Sequence, residues 1–253
     1  MTVEIVLLCL VAFLAGFTDA ISGGGGLIQT PAALILLPQY SAVTVIGSLK
    51  LPAASGTFIA AIQYARKIKL NALMMLVLII IAFVSAFAGS KLLTMVSNSF
   101  IKPFLLIVLV GVAIYTYSNK KFGAHTEKDH SSSEKWWRAI LISLVLGFYD
   151  GFIGPGAGSF MMLCFISLLG YDFLTASAHT KMVNLASNLG SLVFFIISGK
   201  ILYMIAIPMA VCNALGGLLG ARLAKLKGNA FIRLFFLAVV IIVIIRFAWD
   251  VFK

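Results

Sequence analysis

Apolar residues run in long blocks along this chain, near 3–18, 43–65, 72–96, 101–118, 138–149, 173–198, 201–221 and 231–249. Most approach the roughly 20 apolar residues that a helix needs to cross a bilayer. The short alternating segments of a transmembrane barrel are absent. The pattern predicts an all-α polytopic membrane protein. Two more apolar segments, 26–37 and 157–169, are only about a dozen residues long. As helix they reach roughly 18 Å, too short for a core of about 30 Å. Each follows a glycine-rich interruption, which predicts a hairpin broken inside the membrane.

The two interruptions are nearly the same phrase, GFTDAISGGGG at 16–26 and GFYDGFIGPGAGS at 147–159. Setting Asp19 against Asp150 gives an offset of 131, which also pairs Gly16 with Gly147, Gly23 with Gly154 and Gly25 with Gly156. Without a gap it continues through Tyr40 and Tyr171, Lys50 and Lys181, Lys69 and Lys200, and Phe100 and Phe231. The chain therefore reads as two homologous modules, 1–118 and 138–253, joined by a charged linker at 119–137.

Composition agrees. Of 253 residues 62% are hydrophobic and 11% charged, with a mean hydropathy of +1.10. A soluble domain carries roughly a quarter charged residues. The net charge of +11 would suggest nucleic acid in a soluble protein. Here the basic residues sit mostly between spans, where membrane orientation explains them and no nucleic-acid partner is implied. They cluster at Arg66, Lys67 and Lys69 in the first module, in the linker, and at Arg222, Lys225, Lys227 and Arg233 in the second. If all three regions are cytoplasmic, the modules form an inverted-topology repeat, each with a glycine-broken hairpin and three long transmembrane helices. Two parallel modules of four crossings are the alternative. The first stretch has Glu4 instead of a basic signal-peptide start, and it runs into the repeated phrase, so it belongs to the mature fold. Cys9, Cys164 and Cys212 lie alone in apolar sequence and imply neither disulfides nor a metal.

A helix broken within the bilayer leaves backbone groups that lipid cannot satisfy, so the break must be buried or line a wet cavity. The helix that restarts after Gly23, Gly24, Gly25 and Gly26, or after Gly154, Gly156 and Gly158, presents free N–H groups and a positive dipole end. That suits an anion, although small residues also serve simple helix packing. Lys50 and Lys181 lie well inside apolar segments, where a lysine costs about 2.5–3.5 kcal/mol on insertion scales. Snorkelling would lower that cost; a matched pair beside the breaks reads instead as an inward positive field. Ser177, Lys181, Asn184, Asn188 and Ser191 share one helical face, with Asn184 and Asn188 as donors to an oxyanion. Asp19 and Asp150 admit two roles, tying each break to its surroundings or exchanging protons. His179 is open in the same way, as a proton carrier or a hydrogen-bonded structural residue. No metal site, cofactor motif or P-loop is present, and no GxSxG or HExxH supports an intramembrane enzyme.

The segments GFTDAISGGGGLIQTP, GFYDGFIGPGAGSF and SAHTKMVNLASNLGSLVFFIISGK resemble the TauE/SafE family of sulfite and sulfonate exporters, also described as the toluene-sulfonate uptake permease group. The resemblance covers almost the whole chain. It implies a multi-pass secondary transporter in the bacterial inner membrane, for small anions such as sulfite or organosulfonates. The charged GSLKLP at 47–52 departs from the family pattern, so the resemblance speaks for the family more than for the cargo. Alternating access at a site between the modules, with an ion gradient as driving force, is the expectation. A passive anion channel and a carrier of another organic anion are its rivals, and the buried lysines oppose a cation carrier. A homo-oligomer is left open.

Overall fold

A computed structural model describes residues 2–97, 100–101, 103–108, 110–111, 132–223, 241 and 245. The linker up to residue 131 and the basic residues Lys225, Lys227 and Arg233 lie outside them. Among the described residues the long elements are all helices. The first half has α1 (Thr2–Ser22), α2 (Gly25–Leu36), α3 (Ala42–Ala65) and α4 (Ala72–Leu93). The second has α5 (Ser132–Phe152), α6 (Ala157–Leu169), α7 (Phe173–Ile197) and α8 (Tyr203–Leu223). Five of these, α1, α3, α4, α7 and α8, are long and apolar enough to cross a membrane, while α2 and α6 are short. The chain is a multi-pass membrane protein of the all-α class. α5 begins inside the segment read above as linker, and the charges of its first turns break up its apolar run.

Local chemistry explains where the long helices start. Ser41 accepts the Thr44 amide at 3.2 Å, Asn71 the Met74 amide at 3.0 Å, and Asp172 the amides of Leu174 and Thr175. Each caps a donor that the first helical turn leaves open. α2 and α6 begin without any side-chain cap. Their starts are held by glycine backbone, with φ of 76° at Gly23 and 83° at Gly156. Only glycine takes that conformation without strain.

The helices wear their apolar side chains outward, as lipid requires. On α4, Leu73, Leu76, Ile80 and Val84 form an exposed stripe, while Ser85 and Ser90 point inward and are buried. Close backbone contact replaces a water-driven core at the helix crossings. Gly89 of α4 lies against the Phe148 carbonyl of α5, and Gly220 of α8 lies against the Phe17 carbonyl of α1. These two contacts are images of each other at the offset of 131.

The packing units do not follow chain order. One apolar cluster joins α1, α2 and α3 to Ile205, Ala206 and Met209 of α8. The other joins α5, α6 and α7 to Met74, Met75, Leu78 and Ala82 of α4. Each half thus lends its last long described helix to the core of the other. The lent helices lie alongside their hosts in the same direction. The Leu202 amide donates to Ser48, Ser55 donates to the Ala210 carbonyl, and Gln63 to the Leu218 carbonyl. At the centre Gly47, near the start of α3, abuts Phe195, near the end of α7. Tyr64, near the end of α3, clusters with Ala178, near the start of α7.

Candidate functional site

The two breaks meet at the middle of this arrangement. Ser159 of α6 donates to the Ser22 carbonyl of α1 at 2.9 Å, and a side chain on Gly158 would lie 2.6 Å from the Gly23 carbonyl. Gly26 faces Pro155 across the same junction. Beside it lies a cavity of about 50 Å³. One water needs about 10–15 Å³ of such space, so it suits a few waters or one small oxyanion.

The lysines reach this junction crosswise. Lys50, from α3, donates to Asp150 of α5 at 3.0 Å and also to the Asp150 backbone carbonyl. Lys181, from α7, donates to Asp19 of α1 at 2.8 Å and to the Asp19 backbone carbonyl. Each lysine therefore binds the aspartate of the other half. It also covers a carbonyl in the last turn of a broken helix, where the dipole is negative. Asp150 is enclosed further by Ser187 and by Asn184, whose Nδ2 donates at 3.3 Å. Asp19 receives Thr57 at 3.2 Å.

Eleven of the residues singled out from sequence line the cavity: Asp19, Gly23, Gly25, Gly26, Lys50, Asp150, Gly154, Gly156, Gly158, Asn184 and Asn188. Three stand elsewhere. Gly24 precedes α2 as its N-cap. Lys181 is fully enclosed behind Asp19. His179 donates from Nδ1 to the Thr175 carbonyl at 2.8 Å, with its ring 4.7 Å from that of Tyr171.

Sequence reasoning missed Gln29, Thr30 and Asn213, which share the lining. Asn213 Nδ2 donates to Gln29 Oε1 at 2.8 Å, and Gln29 Nε2 reaches the Leu49 carbonyl at 3.4 Å. On the facing wall Asn188 Nδ2 donates to the carbonyl and side-chain oxygens of Asn184. Asn188 commits both amide protons to Asn184, while Asn184, Gln29 and Asn213 each donate one and keep a second, so the walls offer neutral donors. The available signal was a polar residue inside an apolar span, which is costly without a purpose. The duplication hid it, because Gln29 corresponds to Phe160 and Asn213 to Ala82.

Comparison with known proteins agrees with this architecture. The family model described as "Sulfite exporter TauE/SafE" matches residues 8–247. A "Probable membrane transporter protein" of Haemophilus influenzae is 35% identical over 90% of this chain and 88% of its own. "Probable membrane transporter protein ORF9" of a Sinorhizobium species is 35% identical over 94% and 90%. "Probable membrane transporter protein YfcA" of Escherichia coli K12 is 34% identical over 88% and 81%. No solved structure matches. On the extent of that match and of those likenesses, the chain belongs to the sulfite exporter TauE/SafE family of membrane transporters.

Proposed function

We propose that the protein is a secondary transporter for a small anion, sulfite or an organosulfonate, working by alternating access in a bacterial inner membrane. The observation that carries this reading is the cavity where two uncapped helix starts converge with Asn184, Asn188, Gln29 and Asn213. Backbone N–H groups at α2 and α6 supply anion-seeking dipoles, and the amides supply directional donors. Lys50 lines the wall, while Lys181 holds Asp19 in place from behind. The paired carboxylates are the candidates for proton coupling, with His179 a more remote one.

The modules insert in opposite orientations in this reading. Support comes from α3 and α7, which contact each other end to opposite end. Broken helices meeting between inverted repeats are a common plan for secondary transporters.

The test is flux into liposomes holding purified protein. Saturable uptake of sulfite or methanesulfonate, accelerated by an imposed proton gradient, is the expected result. Uptake that never saturates would favour a passive pore, and uptake of no anion would overturn the assignment. Asn213→Ala should raise KM tenfold or more, because a hydrogen bond to a charged group contributes roughly 1.5–3 kcal/mol.

A further inference from the structure

The two buried ion pairs are not equivalent. Asp150 has both carboxylate oxygens engaged: Oδ1 accepts from Lys50 at 3.0 Å, and Oδ2 accepts from Ser187 and from the Asn184 amide. Asp19 accepts from Lys181 at 2.8 Å and from Thr57 at 3.2 Å, both on Oδ2. No donor among the described residues reaches its Oδ1. Exposure differs in the same sense. The Asp19 side chain keeps 17% of its surface open, against 5% for Asp150, and both line the cavity. Hydrogen bonds to a carboxylate hold it in its charged form. Ser187 can turn its hydroxyl to the Asn184 carbonyl at 2.9 Å, but Lys50 has no lone pair with which to accept from a protonated Asp150. A proton arriving through the cavity therefore meets an open oxygen on Asp19 and an occupied pair on Asp150.

Charge gives that proton a purpose. Two ammonium groups face two carboxylates around the cavity. The positive starts of α2 and α6 are offset by the negative ends of α1 and α5, where the Asp19 and Asp150 carbonyls lie. The unloaded site is thus close to neutral. An anion entering alone adds an uncompensated negative charge, and a proton on Asp19 alone leaves the Lys181 ammonium unpaired. Either state is costly in a buried site. Together the two restore neutrality, so each raises the affinity for the other.

We infer that Asp19 binds the coupled proton, that it does so together with the anion, one proton for each negative charge, and that Asp150 stays ionised as a fixed anchor. The inference rests on the anion-transport reading above and adds to it the residue and the stoichiometry of coupling. The groups facing Asp19 are Lys181 of α7, Thr57 and Tyr64 of α3, and Lys50 and Asp150 in the same lining. α2 and α8 add the neutral Gln29 and Asn213.

Labelled methanesulfonate is the probe, because it stays ionised throughout the working pH range. In liposomes holding the wild-type protein, an inward proton gradient should drive its accumulation. A membrane potential set with potassium and valinomycin should leave the initial rate unchanged. Asp19→Asn holds the side chain in its uncharged form. Gradient-driven uptake should fall roughly tenfold or more, within the usual span of a coupling free energy. The same variant should still exchange internal for external methanesulfonate, at a rate independent of pH. Thr57→Val strips a donor from ionised Asp19, so the proton binds more readily and the pH of half-maximal uptake should rise by about one unit. Ser187→Ala strips a donor from Asp150 and should leave that pH where it is.

Gradient-driven accumulation that survives Asp19→Asn would overturn the inference, and an initial rate that follows the potential would overturn its stoichiometry. Wild-type exchange that no proton gradient accelerates would overturn it too, while leaving anion transport intact. Absence of exchange and uptake in the wild type, for methanesulfonate and sulfite alike, would overturn the anion-transport reading itself. If Asp19→Asn does not fold, the two pH profiles decide. A midpoint raised by Thr57→Val and not by Ser187→Ala supports Asp19. A midpoint that Thr57→Val leaves in place, or that Ser187→Ala moves as far, overturns it.

Discussion

Lys181 has no exposed surface, yet it sits eight residues into a membrane-spanning helix. Its charge is tolerable only because Asp19 and a helix-end carbonyl receive all of it. Removing one member of a buried pair typically costs about 3–5 kcal/mol, while removing both can be nearly neutral. Lys181→Met alone should therefore lower thermal stability in detergent sharply. Lys181→Met/Asp19→Asn should recover most of the loss in the same melting measurement, and a loss that simply adds would argue against the pairing. That both lysines are buried could be read from the sequence, since each lies in a long apolar run. Their partners could not. The offset of 131 says which residues are equivalent, whereas a contact joins residues that are not, as Lys50 and Asp150 show. Ser187 escaped for the same reason: its role depends on a carboxylate brought from another helix.

At the scale of elements, the broken hairpins were the most legible part of the sequence. Length excluded 26–37 and 157–169 from crossing, glycine marked the breaks, and α2 and α6 stand within a residue or so of those bounds. The start of α5 was harder to see, because SSSEKWWR is polar enough to read as loop, although nothing in it forbids a helix. What sequence could not supply is the direct contact between the two breaks. Gly158 packs on Gly23 with no room for a methyl group. Overpacking of this kind costs about 1–3 kcal/mol, and here the strain falls on the cavity wall itself. Gly158→Ala should insert into membranes normally but lose most anion flux, as measured in liposomes against wild type. Gly111, with open space around it and no positive φ, is the control: Gly111→Ala should retain transport.

Over the whole molecule, repeats and membrane class were plain in the chain, but the exchange of α4 and α8 between the two cores was not. Apolar spans look alike in composition, and which face meets which neighbour is decided by small residues such as Gly89 and Gly220 rather than by hydropathy. Orientation can be tested without a substrate. With Cys9, Cys164 and Cys212 replaced by serine, a single cysteine at Lys67 and one at Gly199 should react with an impermeant thiol reagent from opposite sides. Labelling of both from one side would require parallel modules.

The exchange has a consequence for how such a chain could arise. A polypeptide of residues 1–118 alone would hold an acid and a base whose partners in the full chain both lie in the other half, and a helix whose resting place lies there too. It could complete itself only by meeting a second copy, which would return the same favour. With its phrase repeated at an offset of 131, the full chain resembles two such copies joined end to end. Joined copies no longer have to be identical. That freedom is visible where Gln29 answers to Phe160 and Asn213 to Ala82: each half supplies one polar residue of the cavity wall where the other carries an apolar one.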